Sequence, residues 1–271
     1  MTGMQMLIFP TVSVRKIASP TFHLWKAQNR YEMAYNYPEV RLRTFIRAGS
    51  RDVLESVLRR TYIWMTLGLF ITAGVAAFVS ASPLFQGLTG QPLIFFGLLI
   101  IDLALVLGLS WGLRRLSMVI AIPLFIAYAI LNGLTFSSLF VVYTLGSIAY
   151  AFLASAILFG VMSIIGYTTK INLAKVGTFL LMGIIGLVVA MMVNIFWASS
   201  TLGWIVTFVG ICLFVVLTMF DTQRIRGMTS TALLQGDEDV EARIGILGAL
   251  GLYLDFINLF LFPLRLRGRR H

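Results

Sequence analysis

The 271 residues of this chain are too apolar for a soluble fold, because 59% of them are hydrophobic and the mean hydropathy is +0.91. Only 12% of the residues are charged, yet Lys and Arg outnumber Asp and Glu by 21 to 11, which gives a net charge of +10. The single cysteine, Cys212, excludes an intramolecular disulfide and a cysteine-based metal cluster. The composition therefore predicts a membrane protein.

The positive charge is concentrated where a membrane protein meets lipid headgroups. Ten of the basic residues lie in positions 1–60, and most of the others flank long apolar runs. This distribution favours anionic lipid headgroups as the partner and argues against nucleic acid. The first 40 residues contain no apolar core typical of a signal peptide, so we expect the first span to act as the targeting signal.

Residues 1–57 are predicted to form an N-terminal cytoplasmic extension. Residues 1–44 mix Pro, Tyr, Arg and Asn without periodicity, which is typical of a disordered segment. Near 45–60, apolar residues recur at roughly helical spacing between arginines, which suggests an interfacial helix. A solvated lead-in to the first span is the alternative, and the sequence leaves both open.

Residues 58–271 are predicted to form an all-α, polytopic bundle of seven transmembrane helices. Each span needs roughly 20 apolar residues to cross about 30 Å of hydrocarbon. Small residues four apart, such as Ala156/Gly160 and Gly245/Ala249, are expected to let the helices approach closely. The predicted spans lie near 61–80, 92–113, 117–142, 148–168, 175–197, 202–222 and 244–264.

The loops between the predicted spans alternate in charge. Segments 81–91, 143–147 and 198–201 carry no charge, whereas the intervening loops are basic and should be cytoplasmic. This places the N-terminus in the cytoplasm and, after seven spans, the C-terminus outside. The basic C-terminal tail conflicts with that side, so either the last helix is re-entrant or the earlier loops dominate; seven full spans are favoured. The tail arginines are Arg265, Arg267, Arg269 and Arg270.

Three acidic residues fall inside predicted spans, and each is a functional candidate because a carboxylate in hydrocarbon costs a few kcal/mol at least. They are Asp102, Asp221 and Asp255. Asp255 follows Arg243 by about 18 Å of helix, which places it well inside the bilayer. Asp221 lies near the end of its span, where pairing with Arg224 or Arg226 at the interface is the simpler alternative.

Asp221 and Asp255 belong to consecutive, antiparallel spans, so they could face each other across one helix pair. Two close carboxyl groups in a low dielectric do not readily both ionise, so the pair is expected to share a proton and to respond to pH. When both are deprotonated, their oxygens suit Ca²⁺ or another hard cation. The two residues are therefore candidate ligands for a transient metal ion.

Two sequence strings resemble the Bax inhibitor (TMBIM) family of membrane proteins: LGLYLDFINLFL at 250–261 and FDTQRIRG at 220–227. Further matches in the same order are LRRTYIWMTLGLFITA at 58–73, NGLTFSS at 132–138 and FLASAILFGVMSIIGYTTKINLAKVG at 152–177. The resemblance covers essentially everything after residue 57. The long N-terminal extension and the segment between the last two helices depart from the family pattern.

The resemblance implies a seven-helix bundle with the last helix enclosed by the other six, acting as a pH-sensitive calcium leak without a bound cofactor. The family's aspartate pair corresponds to Asp221 and Asp255. Arg114 or Arg115 would be the family's latch, and Asp102 would be a third ligand in the ion path or the partner of that latch. A bacterial inner membrane is the expected location, because the sequence shows no organelle signal, and the endoplasmic reticulum is the alternative.

Other functions fit the sequence less well. An intramembrane aspartyl protease would need YD and GxGD motifs, and neither acid has that context. The last span has no lysine that could form a retinal Schiff base. The sequence also contains no HExxH motif of the kind found in zinc enzymes. We therefore expect no enzymatic activity. The main alternative is a non-conducting regulator that modulates a membrane-anchored protease or a partner in stress or cell death.

Overall fold

The computed structural model of the chain describes residues 38–83, 85, 97–98, 100–101, 104–105, 118–171, 173–232 and 238–266. The chain divides into two compact units, Met1–Gly49 and Ser50–His271. The helices and the candidate site described below belong to the second unit, except for the start of the first helix. The predicted domain boundary at residue 57 stays a prediction.

All regular elements among the described residues are helical. Long apolar runs account for their length, since a backbone in hydrocarbon must satisfy its own hydrogen bonds. The helices are α1 (Pro38–Ser80), α2 (Met118–Phe136), α3 (Leu139–Val142), α4 (Leu145–Thr168), α5 (Gly177–Trp197), α6 (Ser200–Ala232) and α7 (Glu238–Leu266), with a 3-10 turn at Leu173–Val176 before α5.

Six helical segments in the described part of the chain are long and apolar enough to cross a membrane. They match six of the seven predicted spans, and most of the span ends differ from the predicted ones by a few residues. The predicted span at 92–113 lies largely outside the described residues, so the count of seven stays a prediction. The six segments are Asp52–Ser80, Val119–Val142, Leu145–Thr168, Gly177–Trp197, Ser200–Ser230 and Val240–Leu266.

Helix α7 is the most buried of these six spans. Of its apolar stretch 72% is buried, against 11–33% for the others. It packs against α2, α4 and α6. The most apolar span, α5, is the least buried. In a bilayer an apolar surface can stay in contact with lipid, whereas the polar side chains of a span are favoured in contact with other helices.

Tyr253 on α7 forms a polar contact that links three helices. Its hydroxyl oxygen lies 2.7 Å from Thr72 Oγ1 on α1, and Thr72 Oγ1 donates to the carbonyl oxygen of Ala129 on α2 at 2.9 Å. Phe125 and Tyr128 of α2 meet the Tyr253 ring edge-on, each with a centroid distance of 5.8 Å. The fully buried phenol is therefore satisfied inside the protein, as hydrocarbon requires.

Glycine at Gly166 sets the closest approach of α4 to α6. A Cβ added there would lie 2.5 Å from the carbonyl oxygen of Met219 and 3.1 Å from its Cα. By contrast, a Cβ at Gly160 would meet nothing within 4 Å. The sequence prediction that Gly160 allows a close helix crossing is therefore wrong, because the residue faces an open groove. The crossing is made six residues later in the same helix.

Replacing Gly166 with alanine should destabilise the bundle, because the new methyl group meets backbone atoms that cannot rotate away. We expect a loss of about 1–3 kcal/mol, typical of an overpacked interior, seen as a lower thermal unfolding midpoint in detergent. Gly160→Ala on the same helix is the matched control and should leave the midpoint unchanged. Equal midpoints for the two variants would contradict this account of the crossing.

Candidate functional site

Asp221 on α6 and Asp255 on α7 lie on two helices that pack against each other. Asp255 is almost completely enclosed, with 2% of the residue exposed, while the side chain of Asp221 is 18% exposed. The Asp221 carboxyl group lies against α7 at Gly251, one helical turn before Asp255. The structure thus brings together the two acids that the sequence singled out, with Asp221 nearer the surface.

Gly251 makes room for the Asp221 carboxyl group against α7. The Oδ2 atom of Asp221 lies 3.1 Å from the point that a Cβ on Gly251 would occupy. Gly251 precedes Asp255 by four residues, so the two positions share one face of α7. Sequence reasoning missed this residue, although its place one helical turn before the acid was a usable signal.

Arg224 is the cation associated with Asp221. Its Nη1 atom lies 3.9 Å from Asp221 Oδ1, and its side chain is 48% exposed. An ion pair of this length and exposure contributes little to stability. Of the two arginines proposed from sequence as partners for Asp221, Arg224 is therefore the one in reach, and it only weakly balances the carboxylate.

Arg226 is engaged elsewhere, at the end of α4. Its Nη1 donates to the carbonyl oxygen of Tyr167 at 2.9 Å, and its guanidinium carbon lies 6.0 Å from the centroid of the Tyr167 ring. Arg224 and Arg226 have different partners because residues two apart in a helix point to different faces.

Asp255 has an oxygen atom that lacks a partner. Its Oδ2 is buried without a hydrogen bond to any described residue. A buried carboxylate oxygen without a donor is costly when the group is ionised. The site is therefore built so that adding or removing a proton, or supplying a cation, changes its energy strongly.

A cavity of about 150 Å³ lies between α6 and α7 beside Asp221. Arg224, Gly248 and Gly251 are also part of its wall, whereas Asp255 is not. A small ion or water in this cavity would therefore meet Asp221 first, and would reach Asp255 only after a rearrangement. The described residues contain no group of three or more His, Cys, Asp or Glu that could hold a metal ion.

Gln223 fastens the connection between α4 and α5 to α6. Its Oε1 accepts from the backbone nitrogen of Leu173 at 2.7 Å, and its Nε2 donates to the carbonyl oxygen of Ile171 at 2.6 Å. The string FDTQRIRG thus presents Asp221 to α7 and Gln223 to this connection. Sequence reasoning did not assign Gln223 a role.

Three of the residues singled out from sequence lie outside the described part of the chain. They are Asp102, the possible third acid, and Arg114 and Arg115, the possible latch. Their proposed roles stay predictions.

The helices and the buried acids define an integral, multi-pass, all-α membrane protein. Residues 54–271 match the family described as "Inhibitor of apoptosis-promoting Bax1". The chain belongs to this Bax inhibitor family, as the resemblance of its last two helices indicated.

Bacterial relatives match along nearly their whole length. The chain is 44% identical over 221 residues to "Inner membrane protein YbhL" of Escherichia coli, covering 81% of this chain and 94% of the relative. It is 42% identical over 220 residues to an uncharacterized protein of Deinococcus radiodurans, covering 81% and 93%. An uncharacterized protein of Rickettsia prowazekii is 38% identical over 223 residues, covering 80% and 91%.

Replacing Gln223 with alanine should loosen the connection between α4 and α5, because both of its hydrogen bonds to this backbone are lost. Each bond contributes about 1 kcal/mol, so amide hydrogen exchange over residues 169–176 should accelerate about tenfold or more. Ser230→Ala, which removes a local hydrogen bond to the Gly227 carbonyl on the same helix, is the control and should leave the exchange rate of residues 169–176 unchanged. Unaltered exchange in Gln223→Ala would show that the connection is held by other contacts.

Proposed function

We propose that this protein is a pH-sensitive calcium leak of the membrane, gated by the Asp221 and Asp255 pair. The observation that carries the proposal is the placement of two acids on adjacent packed helices, with Asp221 against Gly251 one turn before Asp255, and Asp255 enclosed with an unpartnered oxygen. Such a pair changes charge on titration, and a change of charge in a dry site shifts the populations of two helix arrangements. No enzymatic step is part of the proposal.

Calcium is the proposed ion because both potential ligands are hard oxygen donors. Two carboxyl groups are too few for a tight calcium site, which commonly supplies six to eight oxygens. Weak coordination suits passage rather than storage, since an ion that conducts must also leave. Asp221, which lines the small cavity, would be the first contact, and Asp255 the second.

We further propose that the chain lies in a bacterial inner membrane with its N-terminus in the cytoplasm. The basic loops support this orientation, and a relative that is 44% identical is named as an inner membrane protein. Asp221 would then lie near the cytoplasmic end of the path, since Arg224 and Arg226 follow it directly.

Amide replacements of the two acids test the gate. In proteoliposomes containing a calcium indicator, wild-type flux should vary between about pH 5 and about pH 8, because two close carboxyl groups in a low dielectric do not readily both ionise. Asp255→Asn should abolish this variation, because the enclosed member of the pair no longer titrates. Asp221→Asn should raise flux through a misgated closed state. Asp52→Asn, an exposed acid on α1, is the matched control.

An unchanged pH response in both pair variants would refute the aspartate gate while leaving the leak itself intact. Flux no greater than in empty liposomes would refute the leak. It would instead favour the non-conducting regulator, and chemical crosslinking in native membranes would then be the way to find a bound protease or other partner.

Gly251→Ala tests the geometry of the pair without removing a carboxyl group. The new methyl group would displace the Asp221 carboxyl, whose Oδ2 lies 3.1 Å from the Cβ position. We expect a weaker pH response of flux than in the wild type. Gly245→Ala on the same helix is the control, because its Cβ would make only ordinary contacts, the nearest at 3.6 Å from Arg60 Cβ. Identical responses in the two variants would show that spacing between α6 and α7 does not matter.

A further inference from the structure

An open groove of about 620 Å³ lies between α1 and α4, separate from the cavity beside Asp221. Its volume is in the range of sites that hold lipid- or drug-sized molecules. The wall is largely apolar and aromatic, with one carboxyl group and one hydroxyl group. The residues that matter here are Glu55, Tyr62, Phe159, Gly160, Ser163 and Tyr167.

Ser163 has a hydroxyl group whose hydrogen-bonding capacity is unused. The residue is 6% exposed, and its Oγ has no partner among the described residues. Other hydroxyls in the spans donate to the carbonyl oxygen four residues earlier, as expected for Ser and Thr in helices. They include those of Thr61, Ser155, Thr168, Thr207, Thr218, Thr222 and Thr229.

Glu55 supplies a negative charge to the wall of the groove. Its side chain is exposed, and it forms no ion pair within the part of the chain that the structure describes. Arg59, one helical turn further along α1, forms no ion pair with it. A carboxylate that lies beside an apolar groove and has no ion pair among the described side chains is complementary to an amphiphile that carries a cation next to its hydrocarbon chains.

The spacing of these groups matches the layers of a phospholipid. Tyr167 lies at the C-terminal end of α4, against Arg226. Ser163 lies four residues earlier, about 6 Å back along the helix axis. Phe159 and Gly160 continue the wall in the same direction. A headgroup at Glu55 would therefore place its ester carbonyls near Ser163 and its acyl chains against Phe159 and Tyr62.

We propose that this groove binds one phospholipid with a primary-amine headgroup. The ammonium group donates charge-assisted hydrogen bonds to Glu55. The Ser163 Oγ is itself enclosed by protein, so the hydroxyl would donate to an ester carbonyl after rotation of the side chain about its Cα–Cβ bond, which would give the unused donor a partner. This inference does not depend on the calcium leak, since it uses neither Asp221 nor Asp255.

Native mass spectrometry of the delipidated full-length protein tests the proposal. The protein is supplied with phosphatidylethanolamine, phosphatidylcholine and phosphatidylglycerol of identical acyl chains. We expect one retained phosphatidylethanolamine, preferred over phosphatidylcholine by about two- to fivefold, the factor that an exposed ion pair supplies. Glu55→Gln should remove the preference between these two lipids, and Asp52→Asn, an exposed acid outside the groove wall, should retain it.

Steric and hydroxyl variants test the remainder of the site. Gly160→Leu should abolish retention, because Gly160 lines the groove and a Cβ there meets nothing within 4 Å, so the new side chain would extend into the groove. Gly186→Leu, at an equally open position on α5, is the control and should retain the lipid. Ser163→Ala should lower retention of all three lipids by about three- to tenfold, as the loss of one buried hydrogen bond does. Thermal unfolding midpoints verify that each variant is folded.

Four results would overturn the proposal. Three of them are no retained lipid in the wild type, equal retention of all three headgroups, and retention that survives Gly160→Leu. The fourth is a protein, rather than a lipid, that copurifies with the wild type and is lost in Gly160→Leu.

Discussion

Hydrocarbon provides no hydrogen-bond partner for a carboxyl or phenol group, and the position of α7 follows from that constraint. Asp255 and Tyr253 lie two residues apart on this helix and are both buried. Their burial requires neighbouring helices: α2, α4 and α6 pack against α7, and Thr72 of α1 contacts the Tyr253 hydroxyl. The apolar helix α5 has no such requirement and keeps most of its surface exposed.

The site on α6 and α7 depends on small residues as much as on the acids. Gly251 admits the Asp221 carboxyl to the surface of α7, and Gly248 packs against Ile225 of α6. At the same end of α6, Gln223 and Arg226 hold the end of α4 and the connection that follows it. Any movement of α6 that separates the carboxyl groups would therefore also move this connection. The lipid groove between α1 and α4 adjoins the same end of α4, at Tyr167.

Most of the described spans and the identity of the two acids were predictable from sequence. A run of about 20 apolar residues has few alternatives to a transmembrane helix, and an acid inside such a run is conspicuous because of its cost. The role of Gly160 was predicted wrongly, because a small residue in an apolar helix faces either another helix or open space, and spacing does not distinguish the two. Gly166, which does make a close crossing, has the same local appearance.

The sequence by itself determined that this is a helical membrane protein of the Bax inhibitor family with acids inside its last two described spans. Composition, the length of the apolar runs and the sequence motifs carry that information, because the preference of each side chain for water or lipid is a property of that side chain alone. Only the tertiary structure decided which groups meet: Asp221 beside Gly251, Gln223 at the connection after α4, and Ser163 with Glu55 along one groove. These contacts depend on how the helices are rotated and where they cross, and a sequence pattern repeats along a helix without specifying either.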